Sequence, residues 1–120
     1  MIDLDLLTRF RHVIFGVEEI QHRNRGGVEV FKARLNLSDG TNLRIAEVRK
    51  DGQVKKYSYY WLDEHNDLLI GWDNTPHHQQ IASFPDHRHR LGEIEESQEK
   101  DFQAVLNHIA GIISRGDRST

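Results

Sequence analysis

The chain has no cysteine and only two prolines among its 120 residues. Without cysteine there can be no disulfide framework, no thiolate zinc site and no thiol nucleophile. No apolar run approaches the ~18 residues that span a bilayer, so no membrane association is expected. The opening residues, Met1-Ile2-Asp3-Leu4-Asp5, are acidic and lack the basic-then-apolar order of a secretory signal. Nor is there a strong excess of either charge. The net value is −3, so composition alone neither predicts a polyanionic partner nor excludes one, because such binding depends on a local patch. A soluble, cytoplasmic protein is the default expectation.

What remains is an ordinary globular composition, 37% hydrophobic and 29% charged. The length suits one domain over 1–120, large enough for a real core and too small for a second domain. The charge is uneven along the chain. Residues 1–60 carry 11 Lys/Arg against 8 Asp/Glu, whereas residues 61–120 carry 5 against 11 together with six of the eight histidines.

Hydrophobic periodicity sets the elements. Leu6, Leu7, Phe10, Val13, Ile14 and Val17 recur at helical spacing and predict a helix over 3–17, although Gly16 weakens its end and 17–23 reads equally well as extended. Asn24-Arg25-Gly26-Gly27 reads as a loop. Strict alternation then runs through Phe31–Leu37, Leu43–Ala46, Lys55–Leu62 and Leu68–Trp72. Asp39-Gly40, Asp51-Gly52 and Asp63–Asn66 supply turns between them, which makes a four-strand antiparallel meander. Residues 73–96 read as a long ordered loop with one short strand near 88–94. Ser97 is a plausible N-cap for a C-terminal helix, whose apolar stripe is Phe102, Val105, Leu106, Ile109, Ile112 and Ile113, with Gly116 as its stop and 117–120 as a frayed tail. The fold class is therefore α+β, an antiparallel meander of four to five strands flanked by an N-terminal and a C-terminal helix.

Chemistry concentrates in the segment after the meander. Trp72-Asp73-Asn74-Thr75-Pro76-His77-His78 is followed by Phe84-Pro85-Asp86-His87-Arg88-His89, so four histidines fall within thirteen residues. Imidazole titrates nearest neutral pH and can serve as both base and acid. Arg88 could hold a phosphate through its planar fork, and Asp73 could orient a histidine. His and carboxylate also suit a transition metal, but the spacing matches no standard zinc signature, adjacent His77 and His78 seldom point the same way, and His87 shares a face with His89 only on a strand. The plain alternative is turn chemistry, with Asp73 or Asn74 closing an Asx-turn and buried histidines bonded to carbonyls. Two further features stand out. Glu47 falls on the same strand face as Leu43 and Ile45, where a carboxylate needs a partner, a role or a route to water. Alternation separates Tyr60 from Tyr57, Tyr59 and Trp61, and aromatic residues on a sheet either pack a core or stack nucleic-acid bases.

Taken together, Leu43-x-Ile45-x-Glu47-Val48, Tyr57-Ser58-Tyr59-Tyr60-Trp61 and the two histidine blocks resemble the TumE family of small bacterial and archaeal toxins, over about residues 28–113. The resemblance implies a toxin of a type II pair with a cognate antitoxin. It highlights Glu47, Asp73, Asn74, Pro76, His77, His78, His87 and His89. Two positions depart from the family pattern: Gly71 stands where an Arg is usual, and Asp86 where a His is common. If that Arg holds a phosphate, its role here passes to Arg88 or Arg44.

The leading expectation is a metal-independent endoribonuclease. His78 and His87 or His89 would act as base and acid, with His77 nearby, Asp73 as orienter and Arg88, Arg44 and Asn74 toward substrate. No cofactor is expected. A metal-dependent nuclease or nucleotidyltransferase using Glu47, Asp73 and histidines is the first alternative, and a non-catalytic partner-binding module is the second. The partners expected are the antitoxin and RNA, with a homodimer as a further candidate assembly.

Overall fold

The structure is a computed structural model and describes residues 2–116. The chain runs α1 (Leu4–Arg9), β1 (Ile14–Arg25), β2 (Val28–Leu37), β3 (Asn42–Lys50), β4 (Gln53–Leu62), β5 (Leu68–Asp73), β6 (His87–Arg90), β7 (Glu93–Glu96) and α2 (Phe102–Arg115). The strands form one sheet in sequence order, every neighbour antiparallel. The α+β meander with a helix at each end is as expected, but it has seven strands rather than four to five.

Three boundaries differ from the sequence expectation. The first helix is only Leu4–Arg9, capped by the Asp3 carboxylate on the Leu6 N–H at 2.9 Å. Val13 is buried in the turn that follows, where its carbonyl accepts from the Ser38 N–H, and the β-branched Ile14 opens a strand by pairing with Leu37 of β2. The segment 73–96 is not one loop with a single strand. It holds a connection and then the β6–β7 hairpin, whose alternating partners are charged rather than apolar: Arg88 faces Glu95 and Arg90 faces Glu93. The cap of α2 is Asp101, which accepts from the Ala104 N–H at 2.8 Å, whereas Ser97 is buried and gives its hydroxyl to the Glu99 carbonyl. Gly116 does end α2, in the left-handed region at φ 70°. The proposed frayed tail, 117–120, lies outside the described residues.

Strand alternation divides the sheet into two faces. Ala33, Leu35, Leu43, Ile45, Tyr59, Trp61, Ile70 and Trp72 are buried on one. They pack with Leu6 and Phe10 from the N-terminal segment and with Phe102, Val105, Leu106, Ile109 and Ile112 of α2 in one apolar cluster. Tyr59 meets Phe102, and Trp72 meets His108 edge-on at 5.8 Å between ring centres. The other face carries Lys32, Arg34, Arg44, Lys56, Ser58, Tyr60, Asp73, His87 and His89, and no helix covers it among the described residues. Tyr60 is therefore parted from Tyr57, Tyr59 and Trp61, as alternation requires.

Candidate functional site

The histidines gather on the open face because β5 and β6 pair in a fixed register. Asp73 lies opposite His87 and Gly71 opposite His89. Residues two apart on a strand share a face, so His87 and His89 both lean over Asp73, and Arg88 between them points to the helix side. One Asp73 oxygen lies 2.9 Å from His87 Nε2 and the other 3.2 Å from His89 Nε2. His78 comes in from the β5–β6 connection. Its ring centre is 4.9 Å from that of His87 and 6.2 Å from that of His89, both edge to face.

The two strand histidines are not equivalent. His87 is 2% exposed, and its Nδ1 lies 3.0 Å from the Pro85 carbonyl oxygen, which can only accept. Nδ1 thus carries a hydrogen, and Nε2 meets Asp73 either as a second N–H donor or as a ligand atom with a cation between them. His89 is partly exposed, and its second nitrogen, Nδ1, makes no hydrogen bond among the described residues. Neither nitrogen of His78 makes one. The cluster therefore has a buried anchor, His87, and two rings with nitrogens available to a ligand. Asp73 also closes the Asx-turn that alternation could not exclude, accepting from the Thr75 N–H at 2.9 Å.

The remaining sequence candidates lie elsewhere. Glu47 is buried on the helix side, where Arg49 and the Tyr59 hydroxyl both donate to it. Burial works against the Arg49 charge, but hydrogen bonds and attraction from Glu47 and Glu29 outweigh it and hold the guanidinium above its usual range. Burial, reinforced by the Glu47 charge, pushes the Tyr59 hydroxyl well above the ordinary phenol. Arg88 also faces the helix side, its Nε 2.6 Å from Glu95 and its Nη1 3.2 Å from Glu99. Asn74 is spent on the backbone of β4, accepting from the Tyr57 N–H and donating to the Lys55 carbonyl. His77 is exposed on its turn. Asp86 accepts from the Tyr57 hydroxyl, which burial and this carboxylate together push far up. Of the arginines proposed for phosphate, only Arg44 shares the open face with the histidines. Arg34, Lys32 and Lys56 share it too. Sequence reading singled out none of these three for the site, although the register of β2 against β3 and β4 shows the alignment.

Chemically, a carboxylate flanked by two imidazoles, with a third beside them, can orient a base and supply an acid. It can also bind a metal. Asp73, His87 and His89 each offer one ligand atom, all within 4.8 Å of one another. A histidine whose other ring nitrogen donates to a carbonyl, as His87 does, has the second-sphere partner typical of a metal ligand.

Comparison with known proteins agrees with the resemblance in the sequence. The family model described as Toxin TumE matches residues 3–115, through the Asp73 turn, the His78 connection and both β6 histidines. Neither a curated protein nor a solved structure matches the chain. A match over nearly the whole length, spanning the segments that build this cluster, means that the chain belongs to the TumE toxin family.

Proposed function

We propose that this toxin acts in the cytoplasm on RNA, as a metal-independent endoribonuclease. One observation carries the reading: Asp73 holds His89 by Nε2 on the uncovered face and leaves its Nδ1 free. A carboxylate that fixes one ring nitrogen of histidine orients the other as a base, the logic of a catalytic triad. His89 Nδ1 takes the proton of a ribose 2′-hydroxyl, and that oxygen attacks the adjacent phosphorus. His78, as imidazolium, gives a proton to the departing 5′-oxygen. The products are a 2′,3′-cyclic phosphate and a free 5′-hydroxyl. His87 keeps Asp73 in place from below. Arg44 is the phosphate-binding residue in place of the family arginine missing at Gly71. The cognate antitoxin, a partner implied by family membership, would block this face or hold the toxin inactive.

The test is induction of the chain alone in a bacterial host, paired with RNA digestion in vitro. Growth arrest and cleavage by the wild type are expected to disappear in His89→Ala and His78→Ala proteins that remain folded, and cleavage should survive EDTA. Cleavage by folded His89→Ala at the wild-type rate would sink the assignment.

A second reading rests on a specific observation. The three convergent ligand atoms on Asp73, His87 and His89, with the His87 Nδ1 bond to Pro85, favour a metal-dependent reaction. It predicts that EDTA abolishes cleavage and that zinc or manganese restores it.

A further inference from the structure

The open face has a feature that fold stability does not explain. Arg34 on β2 stands directly opposite Arg44 on β3. Like charges directly opposite each other on one face destabilise a sheet pair. The nearest carboxylate of Arg34 is Glu18, 4.0 Å away and at the limit of an ion pair, and Arg44 has no ion pair among the described residues. Each guanidinium is nevertheless held in position. Arg34 donates its Nε to Asn36 and Arg44 its Nε to Asn42, both at 2.9 Å. Those bonds leave the terminal nitrogens of both forks free to grip an anion from two sides.

The row continues across the sheet. Arg44 is opposite Tyr60, Tyr60 opposite Gly71 and Gly71 opposite His89. From Arg34 to His89 is four strand spacings, on the order of 19 Å. Tyr60 lies across Gly71 so closely that a Cβ there would come within 2.8 Å of its ring. The ring therefore occupies the ground where a side chain at 71 would stand, with 39% of the residue exposed. Hollows flank it on both sides. One, of about 480 Å³, is lined by Lys32, Lys56, Ser58, Tyr60 and Asp73, and the other, of about 460 Å³, by Tyr60, Leu68, His89 and Ile94.

We infer that this face is a binding track for single-stranded RNA: Arg34 and Arg44 clamp backbone phosphate, Lys32 and Lys56 flank it, and Tyr60 stacks a base beside His89. The inference rests on the proposed action on RNA and supplies its substrate form. A base stacked on Tyr60 puts the adjoining ribose next to the histidine cluster. Single strands fit because an exposed aromatic surface stacks unpaired bases, while the cations follow the backbone without reading sequence. The net charge of −3 does not oppose this, since Glu93 and Glu95 pair with Arg90 and Arg88 on the helix side, and Glu96, which stands opposite His87, is on the edge strand away from the arginine pair.

The experiment is fluorescence anisotropy with a labelled twelve-nucleotide uridine-rich RNA, using full-length His89→Ala protein so that the probe stays intact. Against that background, Tyr60→Ala should weaken binding about tenfold and Tyr60→Phe should not, as stacking requires. Arg34→Gln with Arg44→Gln should lower the slope of log affinity against log salt by about 1.4, two phosphate contacts at ~0.7 each. The same pair should leave the melting temperature unchanged or higher, because it removes a like-charge contact. A duplex probe should bind more weakly than the single strand. The inference is overturned if these variants bind like the parent, if duplex is preferred, or if the arginine pair loses only antitoxin binding. Cleavage by the wild type with RNA affinity unmoved in the variants would remove the track and leave the proposed activity standing. Variant-sensitive binding by a protein that never cleaves RNA would do the reverse.

Discussion

Histidines of the same type, a few residues apart, end in different physical situations here. His87 is enclosed, with Nδ1 on the Pro85 carbonyl and Nε2 2.9 Å from Asp73, whereas neighbouring His77 and His78 lie on a turn, one exposed and one half-covered. Removing His87 leaves buried Asp73 without the nearer of its two imidazoles. His87→Ala should therefore cost about 3 kcal/mol in urea unfolding, whereas His77→Ala should cost less than about 0.5 kcal/mol. A comparable loss from both would mean that the cluster is not anchored as described. His108, on the helix side, gives a pH prediction. Burial against Trp72 holds its imidazole below the usual value, with Glu99 opposing and Arg88 and Arg115 adding to the effect. A depressed folded value means that the unfolded chain binds the proton more tightly. Stability is then full above the unfolded value near 6.5 and falls as pH drops through and below it. The melting temperature should decline from pH 7.5 to 5.5, and His108→Gln should flatten that decline. Residue chemistry was partly legible in the sequence. The need of Glu47 for a partner followed from its strand face, but Arg49, two residues along the same face, was not recognised as that partner.

At the scale of elements, the β6–β7 hairpin decides whether the histidine cluster forms, because it carries His87 and His89 into register with Asp73. Its strands are four residues each and almost wholly polar, held by Glu95 between Arg88 and Arg90. Burial works against the Glu95 charge, but those two arginines more than offset it and hold the carboxyl below its ordinary range. The turn is Leu91-Gly92, with φ of 53° and 78°, so a leucine occupies the left-handed region that favours Gly, Asn or Asp. It is also 86% exposed and gains nothing from packing. Leu91→Asn should raise stability by about 1 kcal/mol in thermal unfolding and slow amide exchange over 87–96. A drop in stability would show that the leucine makes contacts not seen here. Hydrophobic alternation could not reveal this hairpin, since its alternation is of charge. The first helix was overextended for the opposite reason: Val13 and Ile14 fit a helical stripe as well as a turn and a strand. The β2–β5 meander was legible because its buried face is apolar and two of its turns carry Asp-Gly.

On the scale of the whole molecule, the sheet separates the apolar core from the histidine cluster. Both helices and the apolar cluster lie on one side, and the histidine cluster and cationic row on the other. Ile109→Ala, in the fully buried face of α2, should cost about 3 kcal/mol yet leave the KM of the proposed RNA cleavage unchanged in the fraction still folded. A raised KM would mean that the two faces are coupled through the sheet. The sequence alone determined the absence of thiol chemistry, the two-sided character of β2–β5 and the amphipathic C-terminal helix, because each is a matter of composition or local period. It also carried the family resemblance, through two histidine blocks whose order survives in one dimension. Only the tertiary structure decided which histidines meet, that Arg88 and Glu47 face away from them, and that Arg34, Arg44 and Tyr60 line up with His89. Those are questions of which distant strands pair and in what register, and a shift of one residue would send every one of these side chains to the opposite face.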